Sequence, residues 1–203
     1  WRAQLLAQSE ARVQALQARI RPHFLFNSLN TIASLIHDDP AGAERATEDL
    51  ADIFRGSMRK ADNLINLSEE LDLAWKYLQM EQRRLGSRLE VEWQVNELPE
   101  WAMILPLTLQ PLLENAVAHG IQPRVEGGKL RVYGRKEKEN IVITIYNPAG
   151  PDGHISKGHG MALENIRERL ELAFGPSASL ITHENEEQFF AVLSLPYVED
   201  TDH

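Results

Sequence analysis

Apolar positions recur at helical spacing as far as about residue 87 and alternate beyond it. Leu6, Val13 and Ile20 stand seven apart, with Ser9 and Leu16 on the flanking seam, as in a short coiled coil. Leu25, Leu29, Ile32 and Ile36 make a helical stripe that stops at Asp38-Asp39-Pro40. A second helix is expected from about Ala41 to Ala61. A third has Ser68 as its expected N-cap and Glu69, Glu70 and Asp72 in its first turn, where negative charge suits the helix dipole; Gly86 closes it.

After Gly86 the period changes. Leu89–Val95 alternates like a half-buried strand. Lys129–Arg135 and Ile141–Tyr146 read as a hairpin across the charged turn Lys136–Asn140. Leu180–His183 and Phe189–Leu195 form a second such pair, and Leu107–His119 and Met161–Phe174 read as helices. The expected fold class is α+β: a helical hairpin over 1–87, then an α/β sandwich over 88–203.

Composition narrows the function. Hydrophobic residues make up 43% and charged ones 25%, which is a globular and not a disordered balance. Thirty acidic against 21 basic side chains give −9, which argues against direct nucleic-acid binding. With no Cys, disulfides, thiolate zinc sites and a cysteine nucleophile are excluded. Nor does any His-x-x-x-His occur with a third carboxylate, as a zinc site would need. No apolar run is long enough to span a membrane. The chain opens at Trp1 without a signal-peptide pattern, so it is expected to be a piece of a longer protein.

Three stretches carry chemistry. In Arg21-Pro-His-Phe-Leu-Phe-Asn-Ser-Leu-Asn30, a helix-bending Pro precedes His23, and Asn27 lies one turn on along the same face. A neutral imidazole is a competent nucleophile near neutral pH, and the amide can orient the ring or a water; a plain helix kink fits the same residues. In Leu105–Gly120, Glu114, Asn115 and His119 interrupt an apolar helix, either as the solvated edge of a core helix or as ligands, since an amide oxygen suits Mg²⁺ with substrate phosphates. In Lys157–Asn165, Gly158 and Gly160 precede a helix, where backbone N–H groups can approach an anion or simply form a flexible turn.

In this order and spacing the three stretches resemble LytS-type sensor histidine kinases. Arg21–Asn30 resembles the phosphoacceptor box with its core P-H-F-L-F-N, Gln110–Gly120 the N box, and Gly158–Asn165, running on through Ile166-Arg-Glu-Arg-Leu170, the second glycine box. Leu67–Leu85, with Tyr77-Leu78 and Arg83-Arg84, fits the linker helix, and the resemblance runs from about Ala11 to Leu195.

The resemblance implies an ATPase-type sandwich that binds ATP and Mg²⁺. His23 would accept the γ-phosphoryl group with Asn27 beside it, Asn115 would hold Mg²⁺, and Glu114 would polarise a water or assist proton removal. His119, Asn147 and Asn165 would contact the nucleotide, and Gly158 and Gly160 would let a lid from about Ala149 to Lys157 close over the phosphates. Partners implied are a second copy, paired through a four-helix bundle, and a response regulator with an acceptor aspartate, often one with a LytTR-type DNA-binding domain. The family also implies the cytoplasmic portion of a bacterial inner-membrane sensor, anchored by a segment outside this chain.

Three positions depart from the pattern. Phe24 follows the His where the wider superfamily often has an acid. Ala118 stands where the N box commonly carries Lys, and Asn147 stands for the Asp that accepts the adenine amino group. Besides an active kinase, the sequence therefore leaves open a weak or silent dimeric scaffold or phosphatase, and an ATPase that uses Glu114 to activate water.

Overall fold

A computed structural model describes residues 22–58, 63–99, 101–150 and 157–199, with the backbone only for 157–160. The heptad positions Leu6, Val13 and Ile20, and any bend ahead of Pro22, lie outside the described residues. Contacts within the chain separate residues up to 59 from those after it.

The first unit holds two packed helices, α1 (Pro22–Asp38) and α2 (Pro40–Ser57). Asp39 separates them as the N-cap of α2, its Oδ1 accepting from Gly42 N at 2.9 Å, and Pro40 supplies the preset φ of the first turn. A Cβ on Gly42 would lie 2.0 Å from Asp39 Oδ2, so only glycine lets the capping carboxylate reach its amide. The small residues Ala43, Ala46 and Gly56 are buried with Leu50 and Ile53 along α2. This helix ends at Ser57, short of the expected Ala61.

The second unit begins with β1 (Ile65–Asn66) and α3 (Leu67–Leu85). The N-cap of α3 is Asn66 and not Ser68: Asn66 Oδ1 accepts from Ser68 N at 3.0 Å and from Ser68 Oγ at 2.8 Å. A short 3-10 turn at Gly86–Arg88 leads into β2 (Leu89–Glu97), followed by β3 (Met103–Ile104), which pairs antiparallel with β1. Next comes α4 (Leu109–Asn115), continued without a break as a π-helix over Ala116–Ile121. The hairpin β4 (Gly128–Glu137) and β5 (Asn140–Pro148), α5 (Lys157–Phe174), and β6 (Ser179–Glu184) with β7 (Gln188–Pro196) complete it.

The five-stranded sheet has the order β2-β4-β5-β7-β6, with β2 parallel to β4 and every other pair antiparallel. One face buries Leu130, Val132, Ile143, Ile145, Leu193 and Leu195. Helix α3 packs beside β2, the π-helical turn packs on β4 and β5, and α5 packs on β6, so the three helices follow the strand order. This is the expected α+β sandwich, following a helical hairpin in the sequence. By its contacts, α3 belongs to the second unit, whereas the sequence reading grouped it with the helices before residue 87. Its inward positions, among them Leu67, Leu73, Ala74, Tyr77 and Leu78, need an apolar partner, and α4 and β2 supply it.

Candidate functional site

In the hairpin unit, His23 sits in the first turn of the described part of α1 with its side chain exposed. Helical spacing brings Asn27 beneath it: Asn27 Nδ2 lies 3.1 Å from His23 Nδ1 and 3.4 Å from Nε2. The amide thus reaches the edge of the ring between its two nitrogens. A donated N–H makes Nδ1 the lone-pair nitrogen, whereas an amide turned to present its oxygen holds the proton on Nδ1 and leaves the Nε2 lone pair free. Asn27 is therefore placed to select the tautomer. Phe24, at the position of the missing acid, is buried. Along the same helix Phe26, Leu29 and Ile36 remain 64%, 48% and 53% exposed, an apolar stripe left uncovered among the described residues.

In the sandwich unit the site is built on the central helix. Thr108 occupies its N-cap position but donates its hydroxyl to Leu105 O at 2.8 Å, leaving the helix amides to another acceptor. Glu114 is half-buried and accepts from Gln110 Nε2 at 3.0 Å, while Asn115 is buried at the last α-helical position. From Ala116 the helix widens into the π form, a local change of pitch that favours functional positions and that the sequence pattern did not reveal. His119 lies half-exposed within this turn, and Gly120 is buried.

Across from Gly120 stands Asn147, near the end of β5 and buried on the inward face of the sheet. Its Nδ2 donates to Pro148 O at 2.8 Å. A carbonyl can only accept, so this bond fixes the amide orientation and leaves Oδ1 as the remaining acceptor. That Oδ1 is buried and has no hydrogen-bond partner. A Cβ on Gly120 would meet Asn147 Nδ2 at 2.2 Å and Pro148 O at 2.7 Å, so the helix comes this close only because residue 120 is glycine. Buried acceptors are normally satisfied, and an orphaned one beside a close helix–strand approach suits a ligand with a polarised N–H, as the adenine amino group has.

The loop after β5 begins beside this cradle. Arg124 Nη1 donates to Ala149 O at 3.3 Å, and its Nη2 pairs with Glu126 at 2.8 Å. The middle of the expected lid, residues 151–156, lies outside the described residues. Gly158 and Gly160 fall in the first turn of α5, and Asn165 is exposed two turns along it. The cradle therefore unites Asn147 with Gly120, which the sequence reading did not single out as a site residue.

Sequence reasoning also missed the buried side chain of Glu70. It read this residue as a first-turn acid of α3, yet Glu70 reaches across to the start of α4. Its only signal was an acid at an inward position of an amphipathic helix.

Comparisons with known proteins agree with these observations. A family model described as "Histidine kinase" matches residues 11–89. The chain is 32% identical over 201 residues to a sensor protein LytS of Staphylococcus saprophyticus, covering 93% of this chain and 34% of that protein. It is 33% identical over 193 residues to the sensor histidine kinase YesM of Bacillus subtilis, covering 92% and 33%. It spans about a third of the length of these curated relatives. Among solved structures, the catalytic domain of histidine kinase ThkA aligns with TM-score 0.51 at 16% identity, covering 66% of this chain and 97% of that one. The Acinetobacter baumannii histidine kinase AdeS aligns with TM-score 0.50 at 14% identity, covering 94% and 97%. Similar in sequence to LytS-type sensor histidine kinases along nearly all its length and in fold to the catalytic domains of histidine kinases, the chain resembles about a third of such a sensor kinase.

Proposed function

We propose that this chain is the kinase region of a two-component sensor, moving the γ-phosphoryl group of ATP to His23 and then to an aspartate of a response regulator. The observation that carries this reading is the buried, partnerless Oδ1 of Asn147 in the cradle that Gly120 leaves open. Adenine offers its amino N–H to that acceptor, whereas guanine presents a carbonyl there and is refused. The neutral amide gives up the charge assistance of the usual Asp. In return its own N–H is satisfied by Pro148 O, so a donor beside that carbonyl is kept.

Asn115 would hold Mg²⁺ against the phosphates, the ion supplying charge neutralisation at the transferred group. Glu114 stands next to it in sequence, tethered by Gln110, as the group that orients a water or takes a proton. His119 would contact the nucleotide from the π-helical turn and Asn165 from α5, while Gly158 and Gly160 would bring backbone N–H groups near the phosphates. In the transfer, the imidazole lone pair forms a P–N bond as the bond from the γ-phosphorus to the β,γ-bridging oxygen breaks. ADP leaves with that electron pair, and the ring proton passes to solvent, which exposed His23 reaches directly. Asn27 acts by holding the ring in the tautomer whose exposed nitrogen carries the lone pair.

A second copy of this chain would cover the stripe of Phe26, Leu29 and Ile36, giving the four-helix bundle of a homodimer. The regulator, which the resemblance suggests carries a LytTR-type domain, would receive the phosphoryl group from the same exposed ring. Among the described residues no helix is long and apolar enough to cross a membrane. Titrating the chain with ATP, with and without Mg²⁺, and following heat release tests this reading. Saturable, Mg²⁺-dependent binding at micromolar to low-millimolar concentration is expected. No binding at several millimolar overturns it and favours a silent dimeric scaffold.

A further inference from the structure

The helix carrying Asn115 and Gly120 is held at both ends by charges that it does not itself supply. At its start, Glu70 of α3 accepts from three consecutive backbone amides: Leu107 N on Oε2 at 3.0 Å, and Thr108 N and Leu109 N on Oε1 at 2.8 and 2.9 Å. Glu70 is only 2% exposed, so this is a buried carboxylate spent wholly on another helix. Beyond the other end, Arg88, just after α3, donates from Nη2 to Gln122 O and to Arg124 O, both at 2.9 Å. An anion at the amide end and a cation at the carbonyl end match the helix dipole at each terminus. Because the first turn of α3 meets the first turn of α4, and the residue after α3 meets the turn after the π-helix, the two helices run side by side in the same direction.

The leading turn also needs holding. Leu107 has φ of +56°, a left-handed conformation unfavourable for a residue with a Cβ. Its N–H goes to Glu70, and its carbonyl accepts from Arg169 Nη1 of α5 at 3.1 Å; Arg169 Nη2 also reaches Pro106 O at 2.5 Å. At the trailing turn, a Cβ on Gly127 would lie 2.0 Å from Arg88 O, so Arg88 abuts this turn with its backbone as well.

The geometry points to Glu70 and Arg88 as positioning residues of the nucleotide site, Glu70 fixing the start of the helix from which Asn115 follows six residues after Leu109, and Arg88 the turn just beyond Gly120, which faces Asn147. Neither touches the nucleotide. The inference rests on the nucleotide reading above: the cap at the start of the helix sets the stretch leading to Asn115, and the Arg88 contact sets the turn that presents Gly120 to Asn147. In Glu70→Gln the side-chain amide turns an N–H toward backbone N–H groups, losing at least one bond and the charge. In Arg88→Gln the short amide no longer reaches both carbonyls.

The test compares the two variants with the wild-type chain for adenosine binding, for ATP binding with and without Mg²⁺, and for amide hydrogen exchange. In Glu70→Gln, adenosine affinity is expected to stay within about twofold, while Mg²⁺-ATP affinity falls about tenfold, the equivalent of one charge-assisted hydrogen bond. Exchange should accelerate at Leu107, Thr108 and Leu109 and stay unchanged in β4 and β5. Arg88→Gln should instead weaken adenosine and ATP alike, by several-fold, leaving the Mg²⁺-dependent increment intact. Equal losses for both ligands in both variants would mean a merely structural role and overturn the proposal, as would two variants that bind like wild type. Should Glu70→Gln fail to fold, Glu70→Asp replaces it: the shorter carboxylate keeps the charge but cannot reach all three amides, and the same selective loss of Mg²⁺-ATP over adenosine is expected. A wild-type chain that binds neither adenosine nor ATP overturns the nucleotide reading itself, and this proposal with it.

Discussion

Replacing Gly120 by Ala tests the base cradle at its tightest point. The added Cβ would lie 2.2 Å from Asn147 Nδ2, 2.9 Å from its Cγ and 2.7 Å from Pro148 O. Reaching an ordinary contact of 3.4 Å requires Asn147 to retreat by about 1.2 Å, which its 2.8 Å bond to Pro148 O does not allow without breaking. Backbone oxygen of β5 cannot yield as a flexible side-chain end does, since β5 is central in the sheet and paired on both sides. Overpacking of this kind costs about 1–3 kcal/mol, and a buried amide left unsatisfied costs about as much again. A stability loss of about 2–6 kcal/mol follows, which for a unit of this size lowers Tm by roughly 10–15 °C. Displacing Oδ1 also removes the adenine hydrogen bond, weakening ATP binding by roughly fivefold or more in the fraction that stays folded. The matched control is Gly150→Ala, whose Cβ has His119 O at 3.5 Å as its nearest neighbour, and which should leave the melting temperature within a degree or two. Calorimetric melting and ATP titration of both variants decide the matter. A Gly120→Ala chain that melts and binds like wild type would refute the packing argument and the cradle with it.

Other outcomes follow from the same geometry. Asn147→Asp, which restores the family residue, should destabilise the nucleotide-free chain by about 1–3 kcal/mol, because it sets a carboxylate oxygen against Pro148 O where an N–H now donates; denaturant unfolding checks this. Burial pushes the Glu70 carboxyl above its ordinary value of 4.5, with the backbone donors from Leu107 to Gln110 pulling the other way. A raised folded-state pKa means the folded chain holds this proton more tightly than the unfolded one. Its contribution is then complete below about 4.5 and is lost as pH rises through the raised value, so wild type should gain stability over Glu70→Gln on acidification from neutral pH, measured by urea midpoints. Asp39→Ala removes the side-chain acceptor that caps the start of α2 and should cost the hairpin about 1 kcal/mol, seen as lower helix content at elevated temperature.

Much of the fold was legible because periodicity reports which face is buried. The strands Leu89–Glu97, Gly128–Glu137, Asn140–Pro148 and Gln188–Pro196 all contain the alternating runs from which they were expected, and α5 brackets its predicted helix. Short pairings such as Ile65–Asn66 with Met103–Ile104 carry no period and depend on contacts far apart in sequence. The boundary near residue 87 followed the change of period, but α3 is amphipathic and its partner is fixed by which apolar face lies near, information that the local pattern does not hold.

The site divides in the same way. His23 and Asn27 were visible because helical spacing alone brings i and i+4 together. The pairing of Gly120 with Asn147 was not, since it joins a helix to a strand 27 residues later. Glu70 was hidden for the same reason, 37 residues from the first amide it caps. The widening of the helix after Asn115 coincides with its packing on β4 and β5, for which Ala116-Val-Ala-His-Gly-Ile121 offers no local mark.

The central claim, that this chain phosphorylates its own His23, is tested most directly by incubating it with Mg²⁺ and ATP labelled in the γ-phosphate, then asking where acid-labile label resides. The account predicts alkali-stable, acid-labile phosphate on the wild-type chain, absent from a His23→Gln variant that still binds ATP with unchanged affinity, because the ring makes its only described side-chain bonds to Asn27. Label that persists in His23→Gln would contradict the assignment of the acceptor. A wild-type chain that binds and hydrolyses ATP without ever carrying label would contradict the kinase reading and leave a nucleotide hydrolase in its place.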